Sequence, residues 1–355
     1  MTDVLIAGSG PTGLTLACDL TLRGVAVRVL ERRSAPHRES RGKGLDAGSL
    51  EAFVRLGVAE RLSAIGNPRV ILRKYFDGAH ITDTPAGGGG LLIGQWQVEE
   101  VLRERLSGLG VRIEYGAEVV AMAQDGRGVT ARLADGRSVR AAYAAGCDGG
   151  HSSIRGLLGI SFDGRTEEKP SMVVGDVTAP GLSREYWHQW FTSDGGGILL
   201  CPMPGTESFQ IQAAPEQDER GEPLPPSLES FQRLFDRDAR VPGIRLADPT
   251  WLSSWRMNVR MASRLREGRV FLAGDAAHVH PIAGGLGMNT GIRDAAALAR
   301  TLAAAVTDPA PGVLDAYEAE RLPVAAEVLA DTSRRMDRVM AAVREPGRGT
   351  EAGMN

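Results

Sequence analysis

Val4-Leu5-Ile6-Ala7-Gly8-Ser9-Gly10-Pro11-Thr12-Gly13-Leu14 reads as a strand running through a glycine-rich turn into a helix. The unbroken apolar run at 4–7 has the pattern of a parallel strand covered on both faces. Residues 14–23 have helical periodicity, and Gly24 ends them as a C′ glycine. Residues 25–30 form a second apolar run that closes on Glu31. Strand, turn, helix and strand within about 30 residues make a βαβ unit with a right-handed crossover. The turn itself is a G-x-G-x-x-G. Gly8 permits the tight turn, Gly10 lets a pyrophosphate approach the backbone, and Gly13 lets helix and strand pack closely. The helix N-terminus adds unpaired N–H groups and about half a positive charge. Glu31, ending the next strand, is placed to accept protons from ribose hydroxyls. The expectation is a dinucleotide site.

The rest of the composition narrows the class. The chain has 355 residues, enough for one large or two modest domains, with 43% hydrophobic and 24% charged residues. Lys and Arg number 41 against 44 Asp and Glu, which leaves no basic field for nucleic acid and no polybasic membrane anchor. Cys18, Cys147 and Cys201 are far apart and form no CxxC, so they read as small buried hydrophobes. The first strand begins within a few residues of Met1, which leaves no room for a signal peptide, and no apolar run is long enough to span a bilayer. A cytoplasmic location is expected.

Short helices are expected at 47–56 and 59–65, and an amphipathic helix at 98–109. Small-sheet strands are expected at 111–115, 119–123, 129–133 and 139–145, with Asp125-Gly126 and Asp135-Gly136 as hairpin turns. From about 171 to 255 the chain is strand-rich and holds Trp187, Trp190, Trp251 and Trp255, which could line an aromatic pocket or fill a core. Ser227 can cap a helix reaching about 239. A buried strand follows at 270–273, then an Ala-rich helix at 291–306, and a helical region at 315–343 interrupted at Pro323.

The second decisive stretch is Arg269-Val270-Phe271-Leu272-Ala273-Gly274-Asp275-Ala276-Ala277-His278, followed by Pro281 and Gly284-Gly285-Leu286-Gly287-Met288-Asn289. It resembles the signature of the p-hydroxybenzoate hydroxylase-like flavoprotein monooxygenases, which hydroxylate aromatic rings. In look it is closest to the aromatic-polyketide hydroxylases and rifampicin monooxygenases. Other segments resemble that family: Asp148-Gly149-Gly150-His151-Ser152-Ser153-Ile154-Arg155, Glu39-Ser40-Arg41-Gly42, Gln95-Trp96-Gln97-Val98-Glu99 and Tyr317-Glu318-Ala319-Glu320-Arg321. The resemblance covers residues 3–340. It departs at Asp294-Ala295-Ala296-Ala297-Leu298-Ala299-Arg300-Thr301-Leu302, where the family often has Asn, Trp and Lys, and at Ile282, where a second proline is common.

The resemblance implies FAD and NADPH or NADH as cofactors, with O₂ and an aromatic small molecule as the reacting partners. Oxygen would pass through a C4a-hydroperoxyflavin. Cofactor contacts are implied at Gly8, Gly10, Pro11, Thr12, Gly13, Glu31, Arg32, Arg41, Gln95, Val119 and Asp148. Asp275 would accept from ribitol hydroxyls beside Gly274. The backbone N–H groups of Gly287, Met288 and Asn289 would face the flavin pyrimidine edge, Gly284 and Gly285 would leave room for the ring, and Pro281 would wall its reactive face. No protein nucleophile is required, so no catalytic residue is named.

The expected fold is α/β: a Rossmann-like, glutathione-reductase-like FAD domain from residues 1–69, 95–170 and 263–310. A β-sheet substrate domain is inserted at 70–94 and 171–262. C-terminal helices follow at 311–345 and a flexible tail at 346–355. The chain is expected to end too early for the thioredoxin-like C-terminal domain of many relatives, and to be a monomer or homodimer. Alternatives are Baeyer-Villiger oxygenation or epoxidation on the same scaffold, or a flavoprotein that binds an intermediate without turning over NADPH. An NAD-dependent dehydrogenase is disfavoured by Gly274-Asp275 with the second glycine turn. A flavin halogenase is disfavoured by the missing W-x-W-x-I-P. In His278-Val279-His280 alternation should point the rings apart, with no third ligand nearby, so no metal is expected.

Overall fold

The computed structural model describes residues 2–87, 89–280, 285–308, 310 and 312–344, with the side chains of 333 and 335–344 left aside. β1 (Thr2–Ala7), α1 (Pro11–Leu22) and β2 (Val27–Glu31) form the parallel βαβ unit, with Val4 opposite Val27 and Ala7 opposite Leu30. Proline suits the first turn of α1, where an N–H would have no helical partner. Then come α2 (Ala47–Leu56), α3 (Ala59–Ile65), β3 (Ile71–Phe76), β4 (Ala79–Pro85) and α4 (Gln95–Gly108). β5 (Ile113–Tyr115), β6 (Val119–Asp125), β7 (Gly128–Leu133), β8 (Ser138–Gly146) and α5 (Ser153–Leu157) follow.

The strand-rich stretch holds β9 (Phe162–Thr166), β10 (Met172–Thr178), β11 (Tyr186–Phe191), β12 (Gly197–Pro202) and β13 (Ser208–Ala213). After α6 (Leu228–Asp238) come β14 (Ala247–Trp255), β15 (Asn258–Ala262), β16 (Arg266–Glu267) and β17 (Val270–Leu272). A 3-10 turn at Gly274–Ala276, β18 (His278–Val279), α7 (Leu286–Thr307) and α8 (Asp315–Arg344) complete the described chain.

Among the described residues, the first sheet runs β16-β17-β8-β1-β2-β5, with β7 and β6 continuing from β8. β17, β8, β1 and β2 are mutually parallel, so the first glycine turn, after β1, and the Gly274–Ala276 turn, after β17, leave the sheet at the same strand ends. The core here is Leu5, Ile6, Leu14, Leu16 and Leu20 with the alanine-rich face of α7. Small side chains let α7 lie close to α1: a Cβ on Gly291 would collide with the Thr12 hydroxyl.

The second sheet runs β14-β10-β13-β12-β11-β3-β4, so residues 71–85 and 172–255 share one layer. One face, with Val173, Val177, Trp190, Ile198, Leu200, Phe209 and Ile211, buries against Phe231, Leu234 and Phe235 of α6. Ser227 caps α6 by accepting from the Ser230 N–H at 3.1 Å. Because side chains alternate along a strand, Val174, Asp176, Cys201, Gln210 and Gln212 stand on the other face. A third, three-stranded sheet of β18, β15 and β9 lies beside them.

Three local expectations need correction. The Ala-rich helix starts at Leu286 rather than 291, because Gly285 adopts the left-handed conformation (φ 61°) that turns the chain into it. α8 runs on through Pro323, held on α7 and β17 by Tyr317, whose hydroxyl donates to Leu272 O at 2.8 Å, and by Arg321. The rings of His278 and His280 are not splayed but lie parallel, 6.2 Å apart. Residues 346–355, Pro281 and Gly284 lie outside the described residues. Among the described residues no helix is long and apolar enough to cross a membrane.

Candidate cofactor and substrate cleft

A cleft of about 810 Å³ is lined from both sheets. Gly8, Gly10, Pro11 and Thr12 line it from the first glycine turn, and Gly285, Gly287 and Met288 from the second. The glycines divide into two kinds. Gly8 (φ 105°) and Gly13 are packing glycines: a Cβ on Gly8 would be driven into the Cys147 carbonyl, and one on Gly13 into the Gly8 carbonyl. Among the described residues, Gly10 and Gly285 have nothing within 4 Å of a notional Cβ, and Gly287 has only the His280 ring at 3.6 Å. Among the described residues, none fills the space where the cleft passes these three. Gly274 does not line the cleft; its missing Cβ makes room for Thr12, which thereby fits between Gly274 and Gly291.

At one end Glu31 braces the first turn. Its Oε2 accepts from the Ser9 N–H and hydroxyl, both at 2.9 Å, and its Oε1 from the Arg33 N–H at 3.0 Å. A carboxylate has about four lone-pair sites, so acceptor capacity remains for a ribose. Arg32 and Val119 line this end too. Arg41 also lines the cleft, and its Nε lies 2.5 Å from Glu39 Oε2. Gln95, first residue of α4, donates its N–H to Gly42 O at 2.8 Å and its side-chain amide to Glu99 at 2.9 Å. Burial pushes the Glu99 carboxyl up, and burial with Arg33 and Arg41 pushes the neighbouring His37 imidazole down.

Asp148 lines the cleft and also holds the start of α5, accepting from the Ser152 hydroxyl at 2.5 Å and the Ile154 N–H at 3.1 Å. Asp275 differs. It is exposed to the cleft, and its carboxylate has no hydrogen-bond partner among the described residues. Protein packed around the turn desolvates it and pushes its pKa up, against the pull of His278 and Arg41. It is an acceptor with no donor among the described residues.

Asn289 is buried and does not line the cleft. Its side chain accepts from the Asp46 N–H at 2.9 Å and donates to Gly44 O and Gly285 O, both at 3.1 Å, so it braces the second turn. The Leu286, Gly287 and Met288 N–H groups are in the first turn of α7, where helical partners are lacking.

The tryptophans divide: Trp251 and Trp255 line the cleft, Trp190 is core, and Trp187 lies under Lys43. Two arrangements were missed by sequence reasoning. Asp294 is a buried hub on α7. Its Oδ2 accepts from the Gly274 N–H at 3.1 Å and lies 2.6 Å from His278 Nε2, and its Oδ1 accepts from Arg321 at 2.8 Å. A lone carboxylate on the buried, alanine-rich face of a helix was the available signal. The other is Ser40, which donates its N–H (3.1 Å) and hydroxyl to Asp176 and receives the Gln210 amide, tying the second sheet to the loop before α2.

The sequence matches the family model described as FAD binding domain over residues 1–332. A flavin-dependent monooxygenase of Mycobacteroides abscessus is 40% identical over 92% of this chain and 72% of its own. A rifampicin monooxygenase of Streptomyces venezuelae is 38% identical over 98% of this chain and 73% of its own. Among solved structures, the flavin-dependent monooxygenase PieE in complex with FAD and substrate superposes with a TM-score of 0.84 at 26% identity, covering 94% of this chain and 63% of that one.

Proposed function

The chain belongs to the FAD binding domain family of flavin-dependent monooxygenases, and from that premise we propose that it uses NAD(P)H and O₂ to hydroxylate an aromatic polyketide or polycyclic phenol. The observation that carries this reading is a cleft that joins both glycine turns and holds the Asp275 carboxylate, which has no hydrogen-bond partner among the described residues. Its residues fit FAD. Gly10, Gly285 and Gly287 leave the space a ligand needs against backbone, and Asp275 supplies an acceptor for sugar-alcohol hydroxyls.

In this reading the α1 N-terminus with Gly10, Pro11 and Thr12 holds the pyrophosphate. Glu31 and Arg32 take the adenosine ribose, and Val119 lies along the adenine. Arg41, Gln95 and Asp148 line the middle of the cofactor. The free N–H groups opening α7 face the flavin pyrimidine edge, where they favour negative charge. FAD supplies hydride acceptance from NAD(P)H and oxygen transfer, which we assign to the C4a-hydroperoxyflavin route. The protein positions the ring and excludes water. We divide the molecule into an FAD part and a substrate part formed by the second sheet, whose Trp251 and Trp255 offer flat apolar surface at the cleft. The rifampicin monooxygenase name of one relative supports a polyketide-sized substrate.

The test is anaerobic reduction of the FAD-loaded protein by NADPH, with and without a panel of polycyclic phenols, followed by aerobic turnover and mass spectrometry. Faster flavin bleaching with a ligand, and a product heavier by one oxygen atom, is the expected result. Uptake of FAD without any ligand-stimulated reduction across the panel would favour a flavoprotein that binds an intermediate without NADPH turnover. A colourless protein that refuses FAD and binds NAD tightly would replace the proposal with a dehydrogenase.

A further inference from the structure

Trp251 and Trp255 are left out of the protein's own packing. Both are half-buried, both line the cleft, and among the described residues neither joins a hydrophobic core. Their neighbour Leu252, on the opposite face of β14, packs into the core that the second sheet forms with α6, where Trp190 also lies. A tryptophan half-exposed in a cleft keeps a large apolar face in contact with water, which is unfavourable until something covers it.

β14 fixes how the two rings stand. It pairs with β10 in regular register here, Trp255 opposite Met172, Ser253 opposite Val174 and Trp251 opposite Asp176. Alternation therefore puts Trp251, Ser253 and Trp255 on the same cleft-side face, with the two tryptophans about 13 Å apart along the strand. Val174 and Ser253 line the cleft between them. Among the described residues the Ser253 hydroxyl makes one long contact, to Ser254 O at 3.4 Å, so a better partner can claim it. Both ends of this row are tied to the second glycine turn. At the Trp251 end, Asp176 accepts from Ser40, and Gly42 lies so close to α7 that a Cβ on it would come 3.8 Å from Met288 Cβ. At the Trp255 end, Asn258 opens β15, which pairs with β18, and the next residue, His280, comes within 3.6 Å of where a Gly287 Cβ would lie. An occupant resting on both indoles would thus lie beside that turn.

We propose that Trp251 and Trp255 set the length of the substrate. The site takes a planar molecule of three or four fused rings, with one end against each indole and a ring oxygen between them facing Ser253. This rests on the reading of the cleft as an aromatic hydroxylase site. A phenol of one or two rings covers one indole and leaves the other bare, whereas a longer plate covers both. Each aromatic pair adds attraction beyond the apolar area it removes from water. A fused polycycle has no rotors to freeze on binding, so little of that gain is lost to ordering. The two indoles therefore discriminate by length, and the serine by the presence of an oxygen.

The test is a ladder of three ligands that share a hydroxyl beside a ring ketone: 8-hydroxy-1-tetralone with two rings, 1-hydroxyanthraquinone with three and 6-hydroxytetracene-5,12-dione with four. Their Kd values are measured by equilibrium dialysis against FAD-loaded protein without NAD(P)H, with FAD content and melting temperature recorded for every variant. Greater apolar area alone makes affinity rise along the ladder, so the deciding quantity is how each variant's loss depends on ring count. Trp251→Ala and Trp255→Ala should each bind the four-ring ligand about tenfold more weakly and the two-ring ligand within about twofold of wild type, because the shorter molecule keeps the other indole. Removing both indoles should weaken both ligands. Trp255→Phe, which keeps a flat ring, should recover most of the four-ring loss. All variants should retain FAD and melt near the wild-type temperature, since neither ring belongs to a core among the described residues. Equal losses for two and four rings, no loss for four rings, or a large fall in melting temperature in either single variant would each overturn the assignment and leave the aromatic-substrate reading standing. Failure of the wild type to bind any member of the ladder while retaining FAD would sink that reading itself, and this inference with it.

Discussion

Asp275 shows how one side chain can be poised for a ligand at the expense of the empty fold. Its carboxylate faces the cleft without a hydrogen-bond partner among the described residues, and desolvation holds its pKa above 3.8. From 3.8 upward to its raised pKa, the folded apoprotein binds more protons than the unfolded chain, so this group's contribution to stability falls as pH rises through that window. Asp275→Asn should then leave the apoprotein at neutral pH as stable as wild type or more so, by thermal melting. The same variant should bind FAD about ten- to a hundredfold more weakly in fluorescence titration, as expected for losing a hydrogen bond to a charged acceptor. A stability loss without a loss of affinity would assign Asp275 to the scaffold. Asp275 was readable because a Gly-Asp after a buried strand is a local pattern. The seating of Lys43 over Trp187 was not readable, because nothing in 41–44 reveals what comes to lie against its amine.

At the scale of elements, the glycines of the first turn make opposite demands. Gly10 is the N-cap of α1 with φ −76°, and a Cβ there meets no protein. Gly10→Ala should lower apoprotein stability by about 1 kcal/mol at most, from the weaker cap. It should weaken FAD binding by the equivalent of about 1–3 kcal/mol, because the methyl enters the ligand's space. Gly13→Ala should do the reverse, destabilising the fold by about 1–3 kcal/mol or more, since its methyl would overlap the Gly8 carbonyl. Urea titration of both apoproteins beside their FAD binding curves separates the two. The βαβ unit was legible because its signals lie within one short stretch. The start of α7 and the passage of α8 through Pro323 were not. Both are decided by tertiary anchors, Asn289 to Asp46 in one case and Tyr317 to Leu272 in the other.

At the scale of the whole molecule, the cleft draws its lining from both sheets, so an occupant couples parts of the chain that are distant in sequence. Saturating FAD should raise the melting temperature of the apoprotein by several degrees, corresponding to about 2.7 kcal/mol at a hundredfold excess over Kd. NAD at equal concentration should give no comparable shift. The coupling of the sheets themselves was illegible in the sequence. Ser40 reaches Asp176 and Gln210 across separations of 136 and 170 residues, and no periodicity reports a contact at that range.

Thr12 fits between Gly274 and Gly291, so the first turn, the strand end beside the second turn and α7 are keyed to one another like parts of a lock case. The floor cannot spread to admit a long guest without tearing that fitting apart. Opening for a long guest is therefore expected at the roof, the second sheet, where Ser40 would be the catch to lift. Loading and unloading should accordingly be slowed or hastened by changes at Ser40 far more than by changes along the floor.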